Sequence, residues 1–228
     1  MAPERRALAS GPSETTSARR GRVHGVEAIL LAIVLVAQAF LFARSIHSAT
    51  NYDEAVYLAA VDALRHGQAL GTQVFAAQFP GFYDLLRSLS YVTGVGVVSL
   101  RAGLLFVVLL GTVGGWLVGR RFGGPAGGIL VAASLTIAPP LDLFGYQVIA
   151  DTPALALMLL ALGLASLATP LAAVGAGAVF AAAISVKLTA VTVLPALLWL
   201  IRRRLVPAVS SFALITAALL AAHASALG

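Results

Sequence analysis

Apolar runs recur along this chain at roughly 26–46, 97–119, 124–140, 151–168, 170–186, 188–201 and 205–226. Most are near the length that crosses a bilayer, since a hydrocarbon core of about 30 Å takes about 20 residues of helix. Backbone N–H and C=O groups find no water in lipid, so such runs must be helices that satisfy their own polar groups. The expected fold is all-α and polytopic, with about seven transmembrane helices. Charged residues make up 11% of the chain against 60% apolar ones, whereas a soluble domain averages about a quarter charged. Charge is scarce here, so its placement carries information.

Helix-breaking segments separate the runs: "RRFGGP" (120–125), "APPLD" (138–142), "DTP" (151–153), "TP" (169–170) and "RRR" (202–204). The 188–201 run is short, which suits a tilted or partly re-entrant pairing with 170–186. Residues 1–25 are polar and rich in Ser, Thr, Gly and Arg, the composition of a disordered tail. Residues 26–228 then form the transmembrane domain. A signal peptide is the rival reading of the first run. The stretch from Val26 to Phe42 is long for its apolar core, and "IHSA" before Thr50 is a poor cleavage site. An uncleaved anchor is the better reading.

A net charge of +6 raises the question of nucleic acid. Most basic residues, however, sit in short clusters beside apolar runs, which is a topology signal and names no nucleic-acid partner. With the N-terminus in the cytoplasm, ten basic residues fall inside: Arg5, Arg6, Arg19, Arg20, Arg22, Arg120, Arg121, Arg202, Arg203 and Arg204. Five fall outside or near the outer ends: Arg44, Arg65, Arg87, Arg101 and Lys187. The positive-inside bias sets this orientation, and a multi-pass protein of the plasma membrane is expected. Six of the nine acids, namely Asp53, Glu54, Asp62, Asp84, Asp142 and Asp151, then lie on the outer side. That face collects the chemistry. The chain has no Cys, which excludes disulfides and thiolate chemistry.

The outer first loop, 47–96, carries two helical patterns. Asn51 can cap a helix with Glu54 three positions on, an Asn form of the capping box. Tyr57, Ala60, Val61 and Leu64 then share one face, and Gly67 supplies a stop. A second helix begins at Pro80, with Phe82, Leu85, Leu86 and Leu89 on one side. Both are too short to span and are amphipathic, so they are expected to lie at the membrane surface.

Asp53 and Glu54 are favoured in a first helical turn by capping and the helix dipole, and Glu54 suits that role. Its neighbour Asp53 is left to face a site, where apolar surroundings would tune it as a general base. Pro80 is ordinary at a first turn, and Phe79, Phe82 and Tyr83 suit an aromatic belt. Asp151 opens the fourth span, with Thr152 and Pro153 as a cap and first turn. Arg101 and Lys187 sit at or near outer span ends, where snorkelling is the plain explanation. A phosphate at that depth would need such cations. His24, His47, His66 and His223 have no metal-ligand spacing, so the cofactor stays open, a divalent metal included, with no motif for one. "GTVGGWLVGRRFGG" (111–124) is Gly-rich but lies in a span and its inner end, where glycines allow helices to pack closely.

The order of these features resembles a known class. "YDEAVYLAAVDALRHGQ", "VFAAQFPGFYDLL", "SLRAGLLFV" with "GRRFGG", "ADTPALALMLLALGLA" and "ISVKLTAVTVLPALLWL" follow one another over about residues 26–202. This is similar to the N-terminal half of GT-C type membrane glycosyltransferases. The closest likeness is to the branch of protein mannosyltransferases and lipid A aminoarabinose transferase. The resemblance implies transfer of a sugar from a polyprenyl-phosphate donor, with inversion, to an acceptor hydroxyl of a glycan, lipid or protein at the outer surface. It implies Asp53 as the catalytic base, and Glu54, Gln78, Arg101, Asp151 and Lys187 as substrate-binding positions. Gln78 and Pro80 match a family turn, but Phe79 stands where Pro or Lys is usual. Family members are considerably longer, so a C-terminal half or a partner subunit is expected to complete the pocket. The rival class is a non-enzymatic membrane protein, a transporter half or a scaffold subunit. Transporter sites usually sit at the midplane on broken helices, whereas the acids here lie at the outer edge.

Overall fold

The computed structural model describes residues 14–138 and 147–227, with side chains for 25–138 and 147–223. Asp142 and residues 1–13 of the expected tail lie outside this set. Among the described residues the fold is helical without strands; Leu70 and Val74 form one isolated bridge. Helix α1 (Glu14–Ser45) begins well before the apolar run at 26. Ala and Arg among its first residues are good helix formers and extend it beyond the apolar stretch. Among the described residues three helices are long and apolar enough to cross a membrane, Gly25–Ser45, Val97–Ile137 and Leu205–His223. The apolar helices Asp151–Ser166, Pro170–Val186 and Leu188–Ile201 are shorter. The chain is therefore membrane-associated by its helices.

Helix α4 (Val97–Ile137) breaks at Gly124, whose φ of 65° is left-handed backbone that glycine reaches without a Cβ clash. Pro125 follows with its fixed φ. The two limbs fold back on each other, and a Cβ on Gly119 would come within 2.5 Å of the Gly127 carbonyl oxygen. The break thus falls within "RRFGGP", where the sequence placed it. Helix α5 (Asp151–Ser166) packs most extensively on α4. Backbones meet there: a Cβ on Gly114 would lie 2.4 Å from the Leu159 carbonyl oxygen, and one on Gly163 would lie 2.5 Å from Gly114 Cα. Small residues of this kind let apolar helices approach where no hydrophobic drive separates helix from lipid.

Helix α6 (Pro170–Val186) returns antiparallel to α5 after a turn in which Thr169 Oγ1 accepts the Ala172 N–H at 3.2 Å. A 3₁₀ turn (Leu188–Val193) leads into the short α7 (Leu194–Ile201), and α8 (Leu205–Leu227) packs along α6. The 188–201 run is therefore two tightly wound pieces joined ahead of Pro195.

Helix α2 (Tyr52–Arg65) buries Glu54, Tyr57, Ala60, Val61 and Leu64, the face read from the sequence with one acid added. Helix α3 (Pro80–Thr93) buries Phe82, Tyr83 and Leu86. The two pack on each other, and α3 also packs on α4 and α6. Tyr57, Phe82 and Tyr83 meet edge to face, the closest centroids 5.1 Å apart. Together with Val61, Leu86, Leu100, Leu104 and Val148 they form a dry cluster over one end of the bundle. The apolar faces of both loop helices are thus turned to protein.

Candidate functional site

The start of α2 divides its two acids between two environments. Asn51 Oδ1 accepts the Glu54 N–H at 2.8 Å while Glu54 Oε2 accepts the Asn51 N–H at 3.2 Å, a complete capping box. This turns Glu54 inward. Its Oε1 accepts from Arg101 Nε at 2.9 Å and from the Val148 N–H at 2.8 Å, and its Oε2 from Arg101 Nη2 at 2.6 Å. Both side chains are fully buried. Arg101 Nη1 also donates to the carbonyl oxygens of Ile46 and Ser48 at 2.8 and 2.9 Å. Asn51 Nδ2 donates to Gln147 Oε1 at 2.9 Å. One bidentate pair therefore fastens the end of α1, the start of α2, α4 and the segment before α5. Burial alone would push the Glu54 carboxyl up. Hydrogen bonds from Arg101, Val148 and Asn51, with the Arg101 charge, outweigh burial and hold it below the usual carboxylate value.

Asp53 is exposed, one residue and about 100° around the helix from Glu54. It lies one turn before Tyr57, whose hydroxyl accepts from Gln78 Nε2 at 3.0 Å. The Tyr57 hydroxyl is pushed up, first by burial and then by the negative charges of Asp53 and Asp151, against the Gln78 hydrogen bond. Both acids therefore act on the same phenol. Asp151 is the first residue of α5, and its Oδ1 accepts from Lys187 Nζ at the end of α6. Lys187 is half-buried, and its partner Asp151 is largely exposed.

Asp53 and Asp151 thus lie near enough for their charges to act on the Tyr57 hydroxyl, to which Gln78 is bonded, while Lys187 is bonded to Asp151. Glu54 and Arg101 are buried, bonded to each other. Pro80 takes the first turn of α3, and Phe79 beside Gln78 is partly exposed. The sequence pattern read Tyr57 only as part of a buried face and gave no sign of Gln147 or Val148 as partners. Among the described residues no three His, Asp or Glu side chains gather as metal ligands. His66, just past the end of α2, pairs with Asp62 at 3.7 Å, and His223 Nε2 reaches Asp84 at 3.0 Å.

This geometry offers an exposed carboxylate as proton acceptor, a lysine held by a second carboxylate, and an amide and a phenol as hydrogen-bonding groups. No protein-family model, curated protein or solved structure matches the chain.

Proposed function

We propose that the chain acts in sugar transfer from a polyprenyl-phosphate donor to an acceptor hydroxyl at the outer face of the plasma membrane. In this reading the shorter apolar helices also cross the bilayer, giving about seven spans, with the α4 limbs counted separately. The N-terminus and the Arg202–Arg204 cluster are cytoplasmic, and α2 and α3 sit at headgroup level outside.

The observation that carries the proposal is an exposed Asp53 in the first turn of α2 together with a lysine, Lys187, held by Asp151 at the start of α5. Asp53 takes the proton of the acceptor hydroxyl as its oxygen bonds to the anomeric carbon, and the bond from that carbon to the phosphate oxygen breaks. The configuration inverts because attack and departure are on opposite faces. Charge develops on the departing phosphate, and a fixed cation near it lowers the barrier; Lys187, oriented by Asp151, supplies that cation. Gln78, half-buried and held by the Tyr57 hydroxyl, bonds a sugar hydroxyl. Arg101 and Glu54 are positioning residues, holding α2 so that Asp53 faces outward.

The test is Asp53→Asn in membranes of the source cells, where any partner subunit is present. A panel of polyprenyl-phosphate hexoses and pentoses is supplied, and released polyprenyl phosphate is measured. Loss of a general base costs about 10²–10⁴-fold in rate, and the capping box does not involve Asp53, so protein level and melting should not change. Unchanged release in Asp53→Asn would refute the proposal. Absence of release with every donor would favour a non-enzymatic role for the site.

A further inference from the structure

The other end of the bundle holds a second polar feature that sugar transfer does not use. A cavity of about 470 Å³ lies between the break of α4, the end of α5, the start of α6 and the end of α7, lined by Arg121, Thr169, Trp199, Arg202, Arg203 and Arg204 among others. Helix α5 runs from Asp151 in the outer cluster to Ser166 on this cavity's wall. Sixteen residues at about 1.5 Å each separate the two by about 24 Å.

Four arginines line the cavity and, among the described residues, no carboxylate does. Among the described residues none of the four has an ion pair or a side-chain hydrogen bond. The nearby acid Glu27 is engaged by Arg120 at 3.3 Å. Topology alone asks only that basic residues lie on the inner side; it does not ask that residues from 121 and from 202–204 wall one hollow. The hollow is also built. Trp199 stacks on Phe122 with centroids 5.9 Å apart, and the Arg202 guanidinium lies 5.1 Å over the Trp199 ring. Ala168, also in the lining, has a φ of 53°, which for a residue with a Cβ is strained backbone. The α6 N-terminus at Thr169 and Pro170 adds its partial positive charge.

Several arginines lining one hollow beside a helix N-terminus are the chemistry that binds phosphate. The rim supplies the rest of a lipid: Phe122 and Trp199, both in the lining, are 61% and 53% exposed, apolar surface beside the charged hollow. We infer that this cavity is a binding site for a phosphate-bearing lipid headgroup of the inner leaflet; it rests on the orientation proposed above but not on the activity of the outer site. Basic pockets between membrane helices on the cytoplasmic side suit such headgroups.

Trp199 reports on the site, because Trp116 is the only other tryptophan and lines a different cavity. The full-length chain carrying Trp116→Phe is purified in neutral detergent and titrated with phosphatidic acid, phosphatidylcholine or inorganic phosphate. Phosphatidic acid should change Trp199 emission saturably, and phosphatidylcholine and inorganic phosphate should not at equal concentration. The triple variant Arg121→Gln/Arg203→Gln/Arg204→Gln should weaken the apparent affinity by about a hundredfold, three basic residues' worth near a membrane surface. The matching triple Lys variant should keep most of it. Native mass spectrometry of the chain with both tryptophans should rank the lipids in the same order, which covers any misfolding of Trp116→Phe. Saturation by inorganic phosphate as tight as by phosphatidic acid would overturn the lipid as source. Equal binding of phosphatidylcholine, or a Gln triple that is folded by circular dichroism and binds as well as the parent, would overturn the site.

Discussion

Glu54→Gln removes one charge from the buried pair and almost nothing of its shape. Gln at the third position of α2 still accepts the Asn51 N–H, so the cap, worth about 1 kcal/mol, largely survives. What changes is Arg101, fully buried and losing the carboxylate that accepts from both its Nε and its Nη2. The carbonyl oxygens of Ile46, Ser48 and Ala49 and the Ser48 hydroxyl also accept from it, but none of these carries the full charge that Glu54 does. Breaking a buried pair from one side costs about 3–5 kcal/mol, because the other charge is stranded. The desolvated charge decides the outcome, and the lost hydrogen bonds add to it. Arg101→Met strands Glu54 instead, but that carboxylate keeps the Val148 and Asn51 N–H groups and can take up a proton. The double variant strands neither charge, so its cost should fall well below the sum of the two.

The assay is the apparent melting midpoint of the detergent-solubilised protein, followed by size-exclusion fluorescence of a fusion. The sign of the pH effect follows from the lowered carboxyl of Glu54. Stability from this pair is fully present above the unfolded carboxylate value of about 4.3 and is lost as pH falls through the lower folded value. The parent should therefore lose melting temperature in acid more steeply than Glu54→Gln does. A Glu54→Gln protein that melts with the parent at neutral pH, or a double variant costing the full sum, would refute the buried-pair argument.

Cysteine substitutions at Phe75, 78% exposed in the first loop, and at Arg203 test orientation against a background without native Cys. An impermeant maleimide should label Phe75→Cys in intact cells and Arg203→Cys only after lysis; the reverse pattern would invert every side assignment. Gly114→Leu drives a side chain into the α5 backbone where even a Cβ would lie 2.4 Å from the Leu159 carbonyl oxygen. It should destabilise by at least the 1–3 kcal/mol, roughly, of an overpacked core, and an unchanged melting midpoint would contradict the close crossing. Lys187→Gln breaks a partly exposed pair worth about 0–1 kcal/mol. Folding should be unaffected while donor use falls, and equal turnover would remove Lys187 from the proposed phosphate contact.

What was legible in the sequence is what local chemistry decides. The α2 capping box needs only Asn51 and Glu54 at their spacing, and the buried face of α2 needs only a helical period. The break of α4 is written in Gly124 and Pro125. The direction each face turns is a different matter. An amphipathic period gives an apolar face without saying whether lipid or protein covers it, and α2 and α3 both chose protein. The Glu54–Arg101 pair joins residues 47 apart in sequence through a fold that no window contains. Each residue could be singled out as a rare charge, but snorkelling explained Arg101 equally well until its partners were visible.

The Asp151–Lys187 pair shows where a non-local contact can still be argued from sequence. Helices α5 and α6 have 16 and 17 residues and are joined by a turn at Thr169–Pro170. Two limbs of nearly equal length that fold back on each other must bring their far ends to one level. Asp151 starts the first limb and Lys187 follows the second, so the hairpin alone sets an acid beside a base. Moving either limb by one residue would shift its end by about 1.5 Å and about 100° around the axis. Inserting one alanine after Leu164 should therefore separate the pair without destroying either helix. If the pair positions the site, that insertion should lower donor use as Lys187→Gln does. Preserved turnover with the register shifted would mean that the pair is a by-product of the hairpin.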